Sequence, residues 1–377
     1  MILSIVIPQY KEGDKVVKRL LSSIDYQLNV NWDEVEVLVV NDGSDVKISK
    51  SVFENLDNIK HCEYIELPKN VGPGLCRQAG LDAAQGEYVT FCDADDMYQN
   101  YGTLSLYLEE IRQRHPDILQ TKWIEEVEQN IVSESGETST ALAYLTHDFE
   151  ATWMHGKCFR KQFLTDNNLR FSDKLLYHED SYFLSNAFEI TDKVSRLNYI
   201  TYVWTFDKGS ITRRNNAAYS YESIPEFIRA IRYSIDWLKD KTPQKIPSKV
   251  VQVSLYIYYM LQTNQNWKPE VVTPIEDEMA KTVMKYEIEF NSLNKNDFSM
   301  FDLSEHQKVA GKPFIMTETF SHWINRVLNA RRELPEFVEY RQILPEQNNT
   351  IQEEAKTEAV KEEAQKAEET FETEEKK

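Results

Sequence analysis

Four cysteines, Cys62, Cys76, Cys92 and Cys158, are scattered along the chain without a single CxxC pair. Cys62 and Cys92 fall in or at the end of apolar strand-like runs, where a thiol serves as a small hydrophobe. A reducing cytosol is therefore the expected setting. Long hydrophobic runs are missing too. Val250–Leu261 comes nearest and is too short to cross a bilayer, and Ile2–Ile7 passes straight into Pro8 without the basic start of a secretory leader. The expectation is a soluble cytoplasmic protein, with peripheral docking at a membrane left open. Positive charge is also short: 43 Lys and Arg face 62 Asp and Glu, a net charge of −19. That balance disfavours non-specific capture of nucleic-acid phosphates and an anionic membrane as primary target. Two phosphate-binding fingerprints are absent, since there is no GxxxxGK[ST] and no GxGxxG behind the first strand. No internal repeat is visible.

What is present points to a globular protein: 377 residues, 41% hydrophobic, with many aromatics. That length suits one large domain with a smaller one, or two domains. From Glu346 onward, Ile351, Val360 and Phe371 are nearly the only large apolar side chains, so residues 346–377 read as an acidic disordered or transiently helical tail.

Through the first hundred residues, strand-like runs alternate with amphipathic segments. Leu3–Ile7, Val35–Val40, Cys62–Leu67 and Glu87–Cys92 read as strands, Val16–Leu28 and Gly72–Ala84 as helices. Such alternation implies an α/β fold, a largely parallel sheet with both faces covered, whose ligands bind beyond the carboxyl ends of the strands. Pro8, Asp42 and Asp93 all stand just past such ends. Tyr101–Arg114 reads as a further helix, Asp117 to about Thr152 as antiparallel strands around a Ser133–Glu137 turn, and Val194–Phe206 as a long strand. Lys161–Asn168 and Glu179–Ile190 read as helices. From Tyr219 to about Ile343 the pattern is mostly helical, with breaks expected near Pro243, Pro247, Pro269, Pro274 and Pro313. The expected division is a main domain over 1–215, a helical module over 216–345 for acceptor binding or oligomerisation, and the tail.

The most informative stretch is Gly86-Glu-Tyr-Val-Thr-Phe-Cys-Asp93-Ala-Asp95-Asp96, three carboxylates in four residues at a strand tip. Such charges repel unless a cation or hydrogen-bond donors offset them. Mg²⁺ or Mn²⁺, completed by phosphate oxygens, would suit the place; so would an acidic turn capping a helix. Asn41-Asp42-Gly43-Ser44 could present Asp42 to a base or ribose, or be a simple turn. Asn70-Val-Gly72-Pro-Gly-Leu-Cys-Arg77 opens a helix whose amides favour anions, and it could equally be structural. His178-Glu179-Asp180 reads either as acidic helix capping or as a carboxylate base facing the acidic tip. Lys208–Arg214 reads as a diphosphate clamp or as a solvated basic loop.

In this order and spacing these segments resemble family 2 nucleotide-sugar-dependent glycosyltransferases of the A-type (GT-A) fold, over residues 1 to about 215. The resemblance rests on Ile-Val-Ile-Pro-Gln-Tyr, Val-Val-Asn-Asp-Gly-Ser, Asn-Val-Gly-Pro-Gly-Leu-Cys-Arg, Tyr-Val-Thr-Phe-Cys-Asp-Ala-Asp-Asp and His-Glu-Asp-Ser-Tyr-Phe. It implies that Pro8, Tyr10 and Glu12 line the nucleobase pocket, that Asp42 binds the base, most often uracil, and that Asn70, Gly72, Arg77, Asp93 and Ala94 help hold the nucleotide sugar. It further implies that Asp95 binds Mn²⁺ or Mg²⁺, that Asp180 is the base of an inverting transfer with Glu179 beside it, and that Ser210 and Thr212 contact phosphate from a mobile loop. His155, Lys157 and His178 fall on the acceptor side. The expected partners are a UDP-linked sugar donor and a hydroxyl acceptor on a glycan, polymer or other molecule, and a homo-oligomer could form through the module. Lys11 stands where the family often has Asn, and Gln78 and Gly80 match an Ala-Arg-Asn pattern only in part.

Two rival readings remain. A sugar-1-phosphate nucleotidyltransferase also uses an α/β sheet and Mg²⁺, although Pro8-Gln-Tyr-Lys-Glu occupies the place of its glycine-rich basic signature. An inactive transferase-like binding or scaffold protein is the other. Tyr256, Tyr258, Tyr259, Trp267 and Trp323 fit module core packing, an interface or a sugar platform, with packing the default at helical spacing.

Overall fold

The computed structural model describes residues 1–127, 130–134, 153–205, 216–263, 267–292 and 318–341. Ser210, Thr212, most of the expected Ser133–Glu137 turn and the whole 346–377 tail lie outside them.

β1 (Leu3–Gln9) and β2 (Val35–Asn41) are buried along nearly their full length. Alternate residues supply two separate cores. Leu3, Ile5, Ile7, Val35, Val37 and Val39 pack on one face with α1 (Asp14–Asp25). Val6, Leu38 and Val40 pack on the other with α3 (Pro73–Ala83). Covering on both faces is why these strands read as continuous apolar runs. α2 (Lys50–Glu54) and β3 (His61–Glu66) follow β2, and β4 (Tyr88–Phe91) follows α3.

After β4 come β5 (Met97–Tyr98), α4 (Thr103–Arg114), β6 (Ile118–Val127), β7 (Asn130–Glu134), β8 (Lys157–Arg160), α5 (Lys161–Asp166), α6 (Glu179–Glu189) and β9 (Val194–Thr205). The sheet runs β3-β2-β1-β4-β8-β6-β9-β5, with β7 paired to β6. The expected parallel arrangement holds for β3, β2, β1 and β4. Beyond β4 the sheet is mixed, since β8 is antiparallel to both β4 and β6, and β6 is parallel to β9. The β6–β7 pair is antiparallel, as expected, but Ser133 and Glu134 lie within β7, paired to Glu125 and Ile124, rather than in the expected turn.

The remaining helices are α7 (Asn216–Leu238), α8 (Ile246–Thr263), α9 (Pro269–Lys285), α10 (Glu287–Ser292), α11 (Phe320–Asn329) and α12 (Pro335–Val338). They enclose a third core containing Tyr258, Tyr259 and Trp323, with Tyr256 and Trp267 packed against it. Prolines break this region less than the sequence suggested. Pro243 opens a short 3-10 turn, Pro247 stands at the start of α8 and Pro269 opens α9, as expected, but Pro274 lies inside α9 and Pro225 inside α7. Pro247 is the second residue of its helix, where a backbone N–H would have no intrahelical partner anyway. At Pro274 the helix forgoes one bond and is carried through by buried Val271, Ile275, Met279 and Val283. Pro313 lies outside the described residues.

Candidate active site

The carboxyl ends of the parallel strands meet in a set of tightly laced loops. Past β1, Gln9 Nε2 donates to the Glu12 carbonyl at 2.9 Å and to Val46 O at 3.2 Å. Lys11, with φ of +71°, donates its N–H to Ser44 Oγ. Ser44 N in turn donates to Asn41 Oδ1 at 2.7 Å. Gly43 adopts φ of +61°, and a Cβ there would stand 2.1 Å from the Lys69 carbonyl carbon, so only glycine fits this turn. Asp42, 3% exposed, accepts from Val71 N at 2.7 Å and Gly72 N at 3.0 Å, one on each carboxylate oxygen. Burial raises its carboxyl above the ordinary range despite those two donors. The second strand tip thus fixes the loop that opens α3.

At the third tip the crowded carboxylates are resolved by giving each a different environment. Asp93 pairs through Oδ1 with Arg77 Nη2 at 2.6 Å. Burial would raise it, but Arg77, with smaller help from His155, holds it below the usual value. Asp96, 1% exposed, accepts from Tyr202 OH at 2.5 Å and Thr205 N at 2.8 Å. Burial, followed by the charges of Asp95 and Asp93, pushes it well above the carboxylate range. Asp95 is half-buried, and its carbonyl accepts from Arg19. Ala94 is buried between them. Glu12 accepts from Tyr10 N at 2.5 Å and is pushed up to about 7, mainly by burial and further by Asp95 and Asp93.

A fourth element closes the cluster from a distant part of the chain. Arg77 Nη1 reaches Glu179 Oε1 at 2.7 Å, so the guanidinium holds Asp93 on one side and the first residue of α6 on the other. Arg77, expected to face the nucleotide, is enclosed, its side chain 7% exposed. Burial works against its charge, but Asp93, Glu179 and Asp180 raise its pKa. Gly74 makes the approach possible: a Cβ there would lie 2.6 Å from Glu179 Cγ. Glu179 is pushed up to about 7 by burial and then by Asp180, against the pull of Arg77. The Asp180 carboxyl is raised by burial, with Arg77 opposing and Asp93 adding to the shift, and it accepts from Ser181 N at 2.7 Å.

The other expected residues sort into three groups. Pro8, half-buried, and Tyr10, 41% exposed, edge the site, with Lys11 Nζ 5.0 Å from the Tyr10 ring centroid. Asn70 is exposed beside the buried Gly72. His155 is buried and stacks on Tyr202, centroids 4.5 Å apart, so it stands next to the Asp93–Asp96 tip. The buried Lys157 turns its ammonium to Trp153 O at 2.6 Å and His155 O at 3.4 Å. His178 faces away from the acidic cluster, its Nε2 2.7 Å from Ser223 Oγ and its ring against Phe227; burial lowers it to about 4. Neither Tyr202 nor Asp96 has a separate role in the reading of the sequence. Asp96 was visible as the third member of the acidic run, whereas nothing local marks a tyrosine eight residues into a long strand.

Among the described residues no group of three or more His, Cys, Asp or Glu forms a ready cage for a metal ion. Asp95 and Asp93, with Glu12 in electrostatic reach, are oxygen donors of the kind a hard divalent ion takes one or two at a time beside substrate phosphates.

A family model described as "Glycosyl transferase family 2" matches residues 4–172. The poly(ribitol-phosphate) beta-N-acetylglucosaminyltransferase TarS of Staphylococcus aureus is 30% identical over 238 residues, which are 62% of this chain and 40% of that protein. The uncharacterized glycosyltransferase EpsJ of Bacillus subtilis is 26% identical over 225 residues, 56% of this chain and 63% of EpsJ. The chain thus spans less than two thirds of either relative. The crystal structure of S. aureus TarS 1–349 in complex with UDP-GlcNAc superposes with a TM-score of 0.62 at 21% identity, covering 88% of this chain and 92% of that one. The shared fold therefore takes in helices beyond the family match. No helix among the described residues is long and apolar enough to cross a membrane.

Proposed function

Residues 4–172 belong to glycosyl transferase family 2, and from that premise we propose that the chain transfers a sugar from a UDP-linked donor to an acceptor hydroxyl with inversion. The observation that carries the reading is the convergence on Arg77 of Asp93, Glu179 and Asp180, from segments about ninety residues apart, beside the strand tips that carry Asp42 and Asp95. N-acetylglucosamine is the sugar we favour, since UDP-GlcNAc is bound in the TarS structure of the same fold. A polyol-phosphate polymer is the favoured acceptor class, from the name of that relative.

In this reading Asp42, held rigid by Val71 N and Gly72 N, receives the uracil between the loops of Tyr10 and Gly72. Asp95, with Asp93 beside it, would hold Mn²⁺ or Mg²⁺, which when bound supplies Lewis-acid stabilisation of the departing diphosphate. Asp180 takes the proton of the attacking acceptor hydroxyl. Its raised carboxyl makes it a stronger base than a free aspartate. A single displacement then inverts the anomeric carbon, with no covalent enzyme nucleophile.

The test is a panel of sugar nucleotides with Mn²⁺, followed by thermal stabilisation and by the nucleotide released. Nucleoside diphosphate is expected; pyrophosphate would identify a nucleotidyltransferase, and neither stabilisation nor turnover across the panel would leave a binding protein. Asp180→Asn should keep UDP affinity and lose roughly 10²–10⁴-fold in turnover. Near-normal turnover would remove Asp180 as the base.

A further inference from the structure

The strip before α6 is held from outside the sheet. Leu176 sits over the nucleotide loop, where a Cβ on Gly72 would stand 3.4 Å from its Cδ1. Leu176 N and Tyr177 N both donate to Glu226 Oε1 on α7, the latter at 3.2 Å. Tyr177 OH donates to Glu222 Oε2 at 3.0 Å, and His178 Nε2 meets Ser223 Oγ at 2.7 Å. His178 has φ of +59°, a left-handed conformation that a non-glycine residue keeps only when its surroundings impose it. The next two residues are Glu179 and Asp180. Further along α6, Ser234 Oγ donates to Asn186 Oδ1 at 2.6 Å, and Lys245 and Lys249 each reach Glu189 at 2.7 Å.

We propose that the helical module is the seat of the base-bearing helix, with Glu226 and Ser223 of α7 as positioning residues that act through the Leu176–His178 backbone on Asp180. This rests on the reading of Asp180 as the base. Four contacts from one turn of α7 converge on three consecutive residues, and those residues join the nucleotide loop to the acidic end of α6. The arrangement assigns the module a part in turnover that does not require it to touch donor or acceptor. Glu226 works as a double acceptor, so an amide oxygen can replace it and a methyl group cannot.

The full-length chain is compared as wild type, Glu226→Ala, Glu226→Gln, Ser223→Ala and Asp180→Asn. Three quantities are read: UDP affinity with Mn²⁺, UDP release from UDP-GlcNAc, and amide hydrogen exchange over residues 176–183. The expected result for Glu226→Ala is at least tenfold faster exchange in that segment. Its turnover should fall roughly 10–100-fold, the scale of an ångström-sized misplacement, with UDP affinity kept within about threefold. Glu226→Gln should restore both exchange and turnover, and Ser223→Ala should show the same pattern more weakly, which keeps the test available if Glu226→Ala does not fold. Unchanged exchange, or unchanged turnover in Glu226→Ala while Asp180→Asn is inactive, overturns the positioning role alone. Full turnover in Asp180→Asn removes the base assignment, and this proposal falls with it.

Discussion

Replacing Arg77 with methionine tests the central ion cluster most directly. The substitution keeps the apolar stem and removes the cation shared by Asp93 and Glu179. Breaking a buried pair by deleting one partner costs about 3–5 kcal/mol, because a charge is left without compensation. The two arms do not contribute equally. The Asp93 side chain is 33% exposed, so water screens much of its loss, whereas Glu179 is 8% exposed and carries most of the effect. Glu179 already sits at about 7, so at pH 8 it is mostly ionised and at pH 6 mostly protonated. Without Arg77 its carboxyl rises further, and each additional unit costs about 1.4 kcal/mol wherever the wild-type group is charged. The expected destabilisation is therefore about 3 kcal/mol at pH 8 and about 1–2 kcal/mol at pH 6. Urea unfolding at both pH values measures it, and adding Glu179→Gln to the Arg77→Met background should erase the difference between them. A loss below about 1 kcal/mol at pH 8, or a loss of equal size at both pH values, would refute the argument.

Two further substitutions probe neighbouring parts of the site. Glu12 is raised from 4.5 to about 7, chiefly by burial, so the folded state binds its proton more tightly than the unfolded chain does. Its cost is absent below about pH 4.5, grows as pH rises to about 7, and is constant above that. Glu12→Gln should therefore flatten the fall in stability across that window, by about 1–2 kcal/mol after allowance for solvent screening of a half-buried group; a melting temperature with the same pH slope as wild type would contradict this. Gly74→Ala places a methyl group 2.6 Å from Glu179 Cγ. Overpacking of that kind costs about 1–3 kcal/mol, and most of that cost should vanish when Gly74→Ala is made in a Glu179→Ala background. A Gly74→Ala chain more stable than wild type would mean that α3 and α6 are not in contact as described.

The places of the strand-tip carboxylates were legible in the sequence because they are set locally. Asp42, Asp93 and Asp95 each follow a run whose apolar character announces a buried strand, and the end of a buried strand is where an α/β sheet exposes its reactive groups. Arg77 was legible as a cation one turn into a helix, but not as an enclosed bridge. Its partners, Asp93 and Glu179, lie sixteen and 102 residues away, and only the packing of α3 against α6 brings them together. The same holds for Asp96 and Tyr202, and for His178, whose place beside an acidic pair gave no hint that its ring turns to Ser223 on α7. The mixed half of the sheet was hidden for a different reason. β5 and β8 have two and four residues, too few to show a period, and their pairing is set by β9, β4 and β6.

The cluster also shows how one cation can set unlike acidities in groups that share it. Arg77 lowers Asp93, yet Glu179 and Asp180 stay raised. The difference follows from burial and mutual repulsion. Asp93 has the closest Arg77 contact, at 2.6 Å, and its side chain is a third exposed. Glu179 is nearly sealed and is raised further by the charge of Asp180 next to it, whereas Asp180 is raised by its own burial and by Asp93. A transfer reaction of the proposed kind needs that separation: the carboxylates facing the diphosphate must stay ionised, and the one facing the acceptor must be able to take a proton. On this argument Glu179→Gln should lower the Asp180 pKa, because it takes away one of the carboxylates that share Arg77, the charge that lowers Asp180. The acidic limb of the turnover–pH profile should move to lower pH while UDP affinity is unchanged. A limb that stays in place would show that Glu179 does not tune the base.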